Sequence, residues 1–170
     1  MLPETTRLIL REMTDADYDA LRAIMQDPQV MYAYEGPFTD EEVRAWLNRQ
    51  LERYVRFGFG LWAVVLKETG RVIGQCGLTM QPWKEESVLE IGYLFRRDAW
   101  HRGYATEAAR ACREYAFSVL GAREVCSIIR DTNLASQNVA RRNGMTPRDT
   151  WVKHFRGVDM PHIRFAITRP

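Results

Sequence analysis

The run Trp100-His101-Arg102-Gly103-Tyr104-Ala105-Thr106-Glu107-Ala108 constrains this chain more than any other stretch. It stands where an apolar strand pattern ends and a strongly periodic helix begins. From Ala105 onward Ala108, Ala109, Cys112, Tyr115, Ala116 and Val119 recur at i, i+3, i+4 spacing, the stripe of an amphipathic helix turned to a core. Arg110, Arg113 and Glu114 fall off that stripe, on the solvent side. The helix opens without a Ser, Asp or Asn to cap its first N–H groups. It opens instead on Arg102-Gly103-Tyr104-Ala105, where the glycine lets another group come close to the backbone. Free N–H groups at the positive end of a helix dipole, beside an arginine, suit an anion and most naturally a phosphate. A plain strand–turn–helix joint uses the same pattern, and taken alone these residues leave both readings open.

The rest of the chain alternates strand and helix signals. Arg7 to Arg11 reads as a strand, and Thr14-Asp15-Ala16-Asp17 as the cap and acidic first turn of a helix through about Gln26, stopped at Asp27-Pro28. An aromatic connection from Val30 to Pro37 leads to Thr39-Asp40-Glu41-Glu42, a capping-box pattern opening a helix through about Phe57. Phe59 to Leu66 reads as a buried strand and Val72 to Met80 as its hairpin partner. Pro82 to Ser87 is expected as a polar turn before a strand from Val88 to Phe95. After the long helix come a short buried strand, Glu124 to Ile129, and a helix from Asn133-Leu134-Ala135-Ser136 to the stop at Asn143-Gly144. The short strand follows a strand and a helix, which predicts that it runs parallel to the strand before that helix. Trp151 to Arg156 and His162 to Thr168 close the chain as an antiparallel pair. The order βααβββαβαββ predicts a single α/β domain over residues 1–170, with a mixed, mostly antiparallel sheet and helices on both faces.

Several function classes are disfavoured at once. Basic and acidic residues nearly cancel, 24 against 22, so no bulk field draws the chain to nucleic acid. No stretch approaches the roughly 18 consecutive apolar residues of a membrane helix. The N-terminus lacks the apolar core of a signal peptide, which predicts a cytoplasmic protein. Cys76, Cys112 and Cys126 are odd in number, far apart and in apolar surroundings, so they read as reduced core residues. Met and His are too scattered for a metal site.

The element order and two motifs resemble the GNAT family of acetyl-CoA-dependent N-acetyltransferases, and more closely its RimJ/RimL branch. Trp100 to Ala108 is similar to that branch's W-G-x-G-Y-A-T-E-A run, with His101 in place of a glycine. Asn133 to Ser136, followed by Asn143-Gly144-Met145, is similar to its second signature. The Ile91-Gly92-Tyr93 strand, the Asp27 to Met31 joint and the late Asp159 are similar as well, so the likeness spans nearly the whole chain. Arg97 stands where proline is common.

The resemblance implies a GNAT fold with acetyl-CoA as cosubstrate, lying in a splay between the strands that end near Phe95 and Ile129. It implies that backbone groups of Leu94, Phe95 and Arg96 pair with the pantetheine arm, a bulge there freeing an N–H for the thioester carbonyl. The N–H groups of Arg102, Gly103, Tyr104, Ala105 and Thr106 would cradle the pyrophosphate. Asn133 is similar to a cofactor-binding asparagine and serves equally as a helix N-cap. Asn138 and Arg142 are placed to reach the cofactor's far end or to form a solvated face. An alkyl amine must lose a proton before it attacks a thioester, and Glu90 is the candidate base. Ser136 matches the signature serine that returns a proton to the thiolate, with Tyr93 and Tyr104 as rivals. Direct transfer needs no cysteine nucleophile. Tyr32, Tyr34, Glu35 and Trp83 are the candidates for the acceptor pocket, with Glu35 placed to attract a cation. The expected partners are acetyl-CoA and an amine acceptor (a protein N-terminus or a small amine), without nucleic acid or membrane, in a monomer or homodimer. A catalytically silent acyl-CoA-binding module is the alternative on the same fold.

Overall fold

The central strands of the sheet pack one face against one pair of helices and the other face against a second pair. The computed structural model describes residues 1–170. Its elements are β1 (Leu8–Arg11), α1 (Tyr18–Met25), α2 (Asp40–Phe57), β2 (Leu61–Leu66), β3 (Arg71–Trp83), β4 (Glu86–Phe95), α3 (Tyr104–Ser118), β5 (Glu124–Arg130), α4 (Leu134–Arg142), β6 (Thr146–Phe155) and β7 (Val158–Thr168). That is the expected order. Strands lie side by side as β1-β2-β3-β4-β5-β7-β6, and every pairing is antiparallel except β4 with β5.

Local chemistry sets most boundaries. Thr39 accepts the Glu42 N–H at 3.2 Å while the Glu42 carboxylate accepts the Thr39 N–H at 2.8 Å, closing the capping box of α2. Gly58 ends that helix at φ 74°, a left-handed conformation that costs a glycine little. Ahead of α1, Asp17 is drawn inward by Arg11, with two N–O contacts of 2.8 Å. The residues expected as the first turn of that helix therefore form a 3-10 turn, and α1 starts at Tyr18.

The expected polar turn from Pro82 to Ser87 does not form as such. β3 continues to Trp83 and β4 begins at Glu86, leaving only Lys84 and Glu85 between them. Trp83 is the reason: it is buried, lies edge-on against Trp151 with ring centroids 5.7 Å apart, and donates Nε1–H to Asp149 at 2.9 Å. The closing pair is also longer than expected, running from Thr146 to Thr168 around a two-residue turn at Arg156 and Gly157. Both turn residues have positive φ, 52° and 74°, as a tight hairpin requires.

Strand alternation divides the core in two. Trp62 and Val64 join Cys76, Leu78, Ile91 and Phe95 under α3, with Ala108, Ala109, Cys112 and Ala116 from the helix. Leu61 and Ala63 point the other way, to Leu21, Ile24, Met25, Val43 and Leu47 of α1 and α2. Burying a side chain of Leu, Ile or Val size is worth about 1.5–3 kcal/mol, so both faces of the central strands are tightly fixed. Cys76 and Cys112 sit Sγ to Sγ at 3.6 Å within the α3-side core, buried and unbridged.

Candidate active site

The sheet opens along one seam. β3 and β4 pair without interruption from Gly74 opposite Phe95 to Trp83 opposite Glu86, whereas β4 and β5 share a single register pair, Glu90 with Cys126. Just past that pair, side chains take over from the backbone ladder. Ser127 Oγ–H donates to the Ile91 carbonyl at 2.8 Å, and the Glu90 carboxylate accepts the Ile128 N–H at 3.3 Å. The strands then diverge around a cavity of about 540 Å³ that reaches both faces of the sheet.

Two residues expected to line this gap with their backbones are turned the wrong way. Arg96 N–H donates to the Ile73 carbonyl at 2.9 Å. By alternation Leu94 and Arg96 direct their main-chain groups to β3, and Ile91, Tyr93 and Phe95 direct theirs to β5. Phe95 has its main chain on the β5 side of the strand, although its carbonyl already accepts Trp100 Nε1–H at 3.0 Å. Tyr93 is the second residue whose backbone faces the seam. No bulge interrupts β4 against β3, so the opening comes from divergence alone.

On the α2 side of the seam stands Glu90. Its second oxygen accepts Thr79 Oγ1–H at 3.3 Å. Burial pushes its carboxyl above the usual range, offset in part by Lys153, the Ile128 N–H, Thr79 and Arg53. On the α3–α4 side Tyr93 donates its hydroxyl to the Ser136 carbonyl at 2.7 Å, which holds the start of α4 against the gap. Asn133 caps that helix: its Oδ1 accepts the Ser136 N–H at 3.1 Å and the Tyr32 hydroxyl at 2.9 Å, leaving its amide N–H groups free. The Ser136 hydroxyl has no partner in the chain and lines the cavity. Tyr104 does not reach the cavity; it lies in the core with the Arg7 guanidinium 4.5 Å above its ring.

The start of α3 is a ready anion cradle. Gly103 is its N-cap at φ 79° and offers no side-chain cap. The first backbone bond of the helix runs from the Glu107 N–H to the Gly103 carbonyl, so the N–H groups of Gly103, Tyr104, Ala105 and Thr106 have no backbone partner. Arg102 precedes this group and gives its carbonyl to Arg7 Nη1–H at 3.0 Å. His101 takes φ 60°, the left-handed conformation that a glycine would adopt more cheaply. Glu107 fastens the helix start to the N-terminal strand, accepting Thr5 Oγ1–H at 2.6 Å and Arg7 Nε–H at 2.7 Å. Arg142 joins Gly103, Thr106 and Arg110 along one open groove; Asn138 is exposed outside it.

The acceptor side differs most from the sequence expectations. Tyr34 does line the cavity, edge-on to Phe38 and Trp46, and burial pushes its hydroxyl up to about 12. Glu35 is held by Arg130 at 2.5 Å. Tyr32 spends its hydroxyl on Asn133, and Trp83 is packed away beside Trp151. In their place the cavity presents Trp46, Arg49 and Arg53 from α2 and Lys153 from β6. The spacing of the three α2 residues, i, i+3 and i+7, puts them on one helix face and was the available signal.

A hydrogen-bonded carboxylate with a raised pKa thus shares one cavity along the open seam with a free hydroxyl, and a cradle for phosphate stands in a separate groove at the start of α3. A family model described as an acetyltransferase (GNAT) domain matches residues 7–146. YkkB, an uncharacterized protein of Bacillus subtilis strain 168, is 39% identical over 142 residues, 83% of each chain. The crystal structure of an acetyltransferase from Agrobacterium tumefaciens matches with a TM-score of 0.82 at 31% identity, covering 98% of this chain and 93% of that one. RimL, a ribosomal L7/L12 alpha-N-protein acetyltransferase in complex with coenzyme A, matches with a TM-score of 0.78 at 18% identity, covering 98% and 97%.

Proposed function

The chain belongs to the GNAT acetyltransferase family, and from that premise we propose that it transfers the acetyl group of acetyl-CoA directly to a primary amine, in the manner of the RimJ/RimL branch. The observation that carries this reading is the single seam, with Glu90 on one face of the sheet and Ser136 on the other, joined by one cavity. The free N–H groups of Gly103, Tyr104, Ala105 and Thr106 receive the pyrophosphate, with Arg142 beside them. The pantetheine arm lies against Tyr93 and Phe95, and Asn133 offers its amide N–H groups.

Glu90, acting directly or through a water, takes a proton from the acceptor ammonium. The amine lone pair then attacks the carbonyl carbon, the new N–C bond forms, and the C–S bond breaks as the tetrahedral species collapses. The Ser136 hydroxyl gives its proton to the departing thiolate and takes up the second proton shed by the former amine nitrogen, leaving a neutral amide and free coenzyme A. Tyr93 is the weaker donor for this step because its proton is committed to the Ser136 carbonyl. Buried thiols need play no part, since burial keeps Cys112 and Cys126 protonated.

The test is free-thiol release from acetyl-CoA with a panel of amines and peptides. Release that depends on the amine supports the reading; tight acetyl-CoA binding without release from any acceptor favours the silent module. Gly103→Glu places a carboxylate in the cradle and should abolish acetyl-CoA binding by calorimetry while the fold persists. Unchanged affinity would move the phosphate site elsewhere.

A further inference from the structure

Thirteen of the 24 lysines and arginines have a carboxylate within salt-bridge distance. Arg7 pairs with Glu107, Arg11 with Asp17, Arg44 with Asp15, Arg130 with Glu35, Arg156 with Glu42, and Arg164 with Asp149. The cavity on the α2 side departs from this pattern. Arg49, Arg53 and Lys153 line it, and none has a carboxylate within salt-bridge distance. Arg53 finds only the Gln50 amide oxygen, at 3.2 Å. Arg49 lies 5.9 Å from the Trp46 ring centroid, and Lys153 lies 5.9 Å from that of Trp83. Arg49 and Arg53 are four apart on one helix, an arrangement that costs stability through like-charge repulsion.

The acids of the same cavity do not restore balance. Glu42 gives both oxygens to Arg156 at 2.7 Å. Glu90 is engaged by Thr79 and the Ile128 N–H and is shifted toward its neutral form. The surrounding groups register these cations: beyond the effect of burial, Arg49 lowers the pKa of Arg53 against an opposing pull from Glu90, and Lys153 and Arg130 lower that of His162 against the Met160 carbonyl and Asp131. Such a pocket repels a polycation.

Building on the acetyltransferase reading, we infer that the acceptor amine carries an anionic group, a carboxylate or phosphate, which Arg49 and Arg53 bind while the amine faces Glu90. Arginine forks match both anions, and such bonds gain strength where water is displaced. Lys153 supplies a further positive charge, and Trp46 and Tyr34 give the acceptor's carbon skeleton an apolar wall.

Matched acceptors test this by thiol release: L-aspartate against its diamide, O-phosphoethanolamine against ethanolamine, and spermidine as the cation. The anionic member of at least one pair should show kcat/KM at least about tenfold higher, the scale of one charged hydrogen bond, and the better pair identifies the anion. Arg53→Gln should raise KM for that acceptor about tenfold and leave KM for acetyl-CoA unchanged. Arg49→Gln, on the more exposed turn, repeats the test if the first variant folds poorly. Equal or better use of the neutral members or spermidine would overturn the inference while leaving the transferase reading intact. If no acceptor releases thiol, N-acetyl-L-aspartate and N-acetyl-O-phosphoethanolamine are titrated by calorimetry. Binding of either that Arg53→Gln weakens would support the anion site although the transferase reading falls; binding of neither overturns both.

Discussion

Two charged clusters lie along β4 and follow opposite rules. Near its start Asp149 accepts Lys84 Nζ–H at 2.7 Å, Trp83 Nε1–H at 2.9 Å and Arg164 Nε–H at 2.9 Å, while Arg164 also reaches Glu124 at 3.2 Å. Each of these charges is answered, and together they tie the β3–β4 turn, β5, β6 and β7 into one piece. Farther along, where β4 leaves β5, Arg49, Arg53 and Lys153 face the cavity unpaired. The first cluster resembles a fastening and the second a receptor. Satisfied charge stabilises the fold, and unsatisfied charge is held ready at some cost to it.

Glu90→Gln should break the second cluster most sharply. Removing a general base costs about a hundredfold or more in turnover. Because burial raises the Glu90 carboxyl, wild-type activity should climb with pH through a pKa above the ordinary glutamate range, and the variant should lose that limb. The stability sign runs opposite to activity. A carboxyl whose folded pKa is raised destabilises the fold as pH rises through it, so the neutral variant should melt no lower than wild type at neutral pH. A fall in melting temperature with an unchanged rate profile would place Glu90 in the fastening class.

Asp149→Ala should show the converse. Three donors lose their acceptor, for a loss of about 1–3 kcal/mol in urea unfolding, with little change in kcat/KM. Burial alone would raise this carboxyl, but bonds from Lys84, Trp83 and Arg164 outweigh it and hold it well below the usual range. Its contribution is therefore present above the unfolded-state pKa and lost as pH falls through the folded one, so the gap between variant and wild type should close in acid. The smallest effect belongs to Arg49→Ala, whose stability should stay within about 0.5 kcal/mol of wild type. Any change should be a slight gain, from relief of the repulsion with Arg53. A clear loss would show that Arg49 fastens something after all.

Features written within a few residues were legible in the sequence. The Thr39–Glu42 box, the Asn133 cap, the Asn143-Gly144 stop and the uncapped start of α3 depend on local bonds, and each stands where the residues indicated. Glu90 and Ser136 were nominated from their place in the element order and motifs, and both line the cavity. Features that depend on a distant partner were not legible. Nothing near Trp83 announces Trp151 and Asp149, so a continuing strand was read as a turn. The backbone direction of Leu94 and Arg96 depends on pairing parity with β3, which no motif encodes. Glu35 looked available until Arg130 arrived from β5. Arg49 and Arg53 were not singled out in the sequence, because only packing decides which face of α2 meets the seam.

The seam has a mechanical consequence as well. On either side the strands are laced by unbroken or nearly unbroken antiparallel ladders, while only Glu90 and Cys126 are in register across it. Torsion between the two halves therefore has the least backbone bonding to overcome along this line, and local opening should begin there. An extended molecule inserted into the gap would act as a missing strand, so the sheet would reach its full stiffness only when loaded.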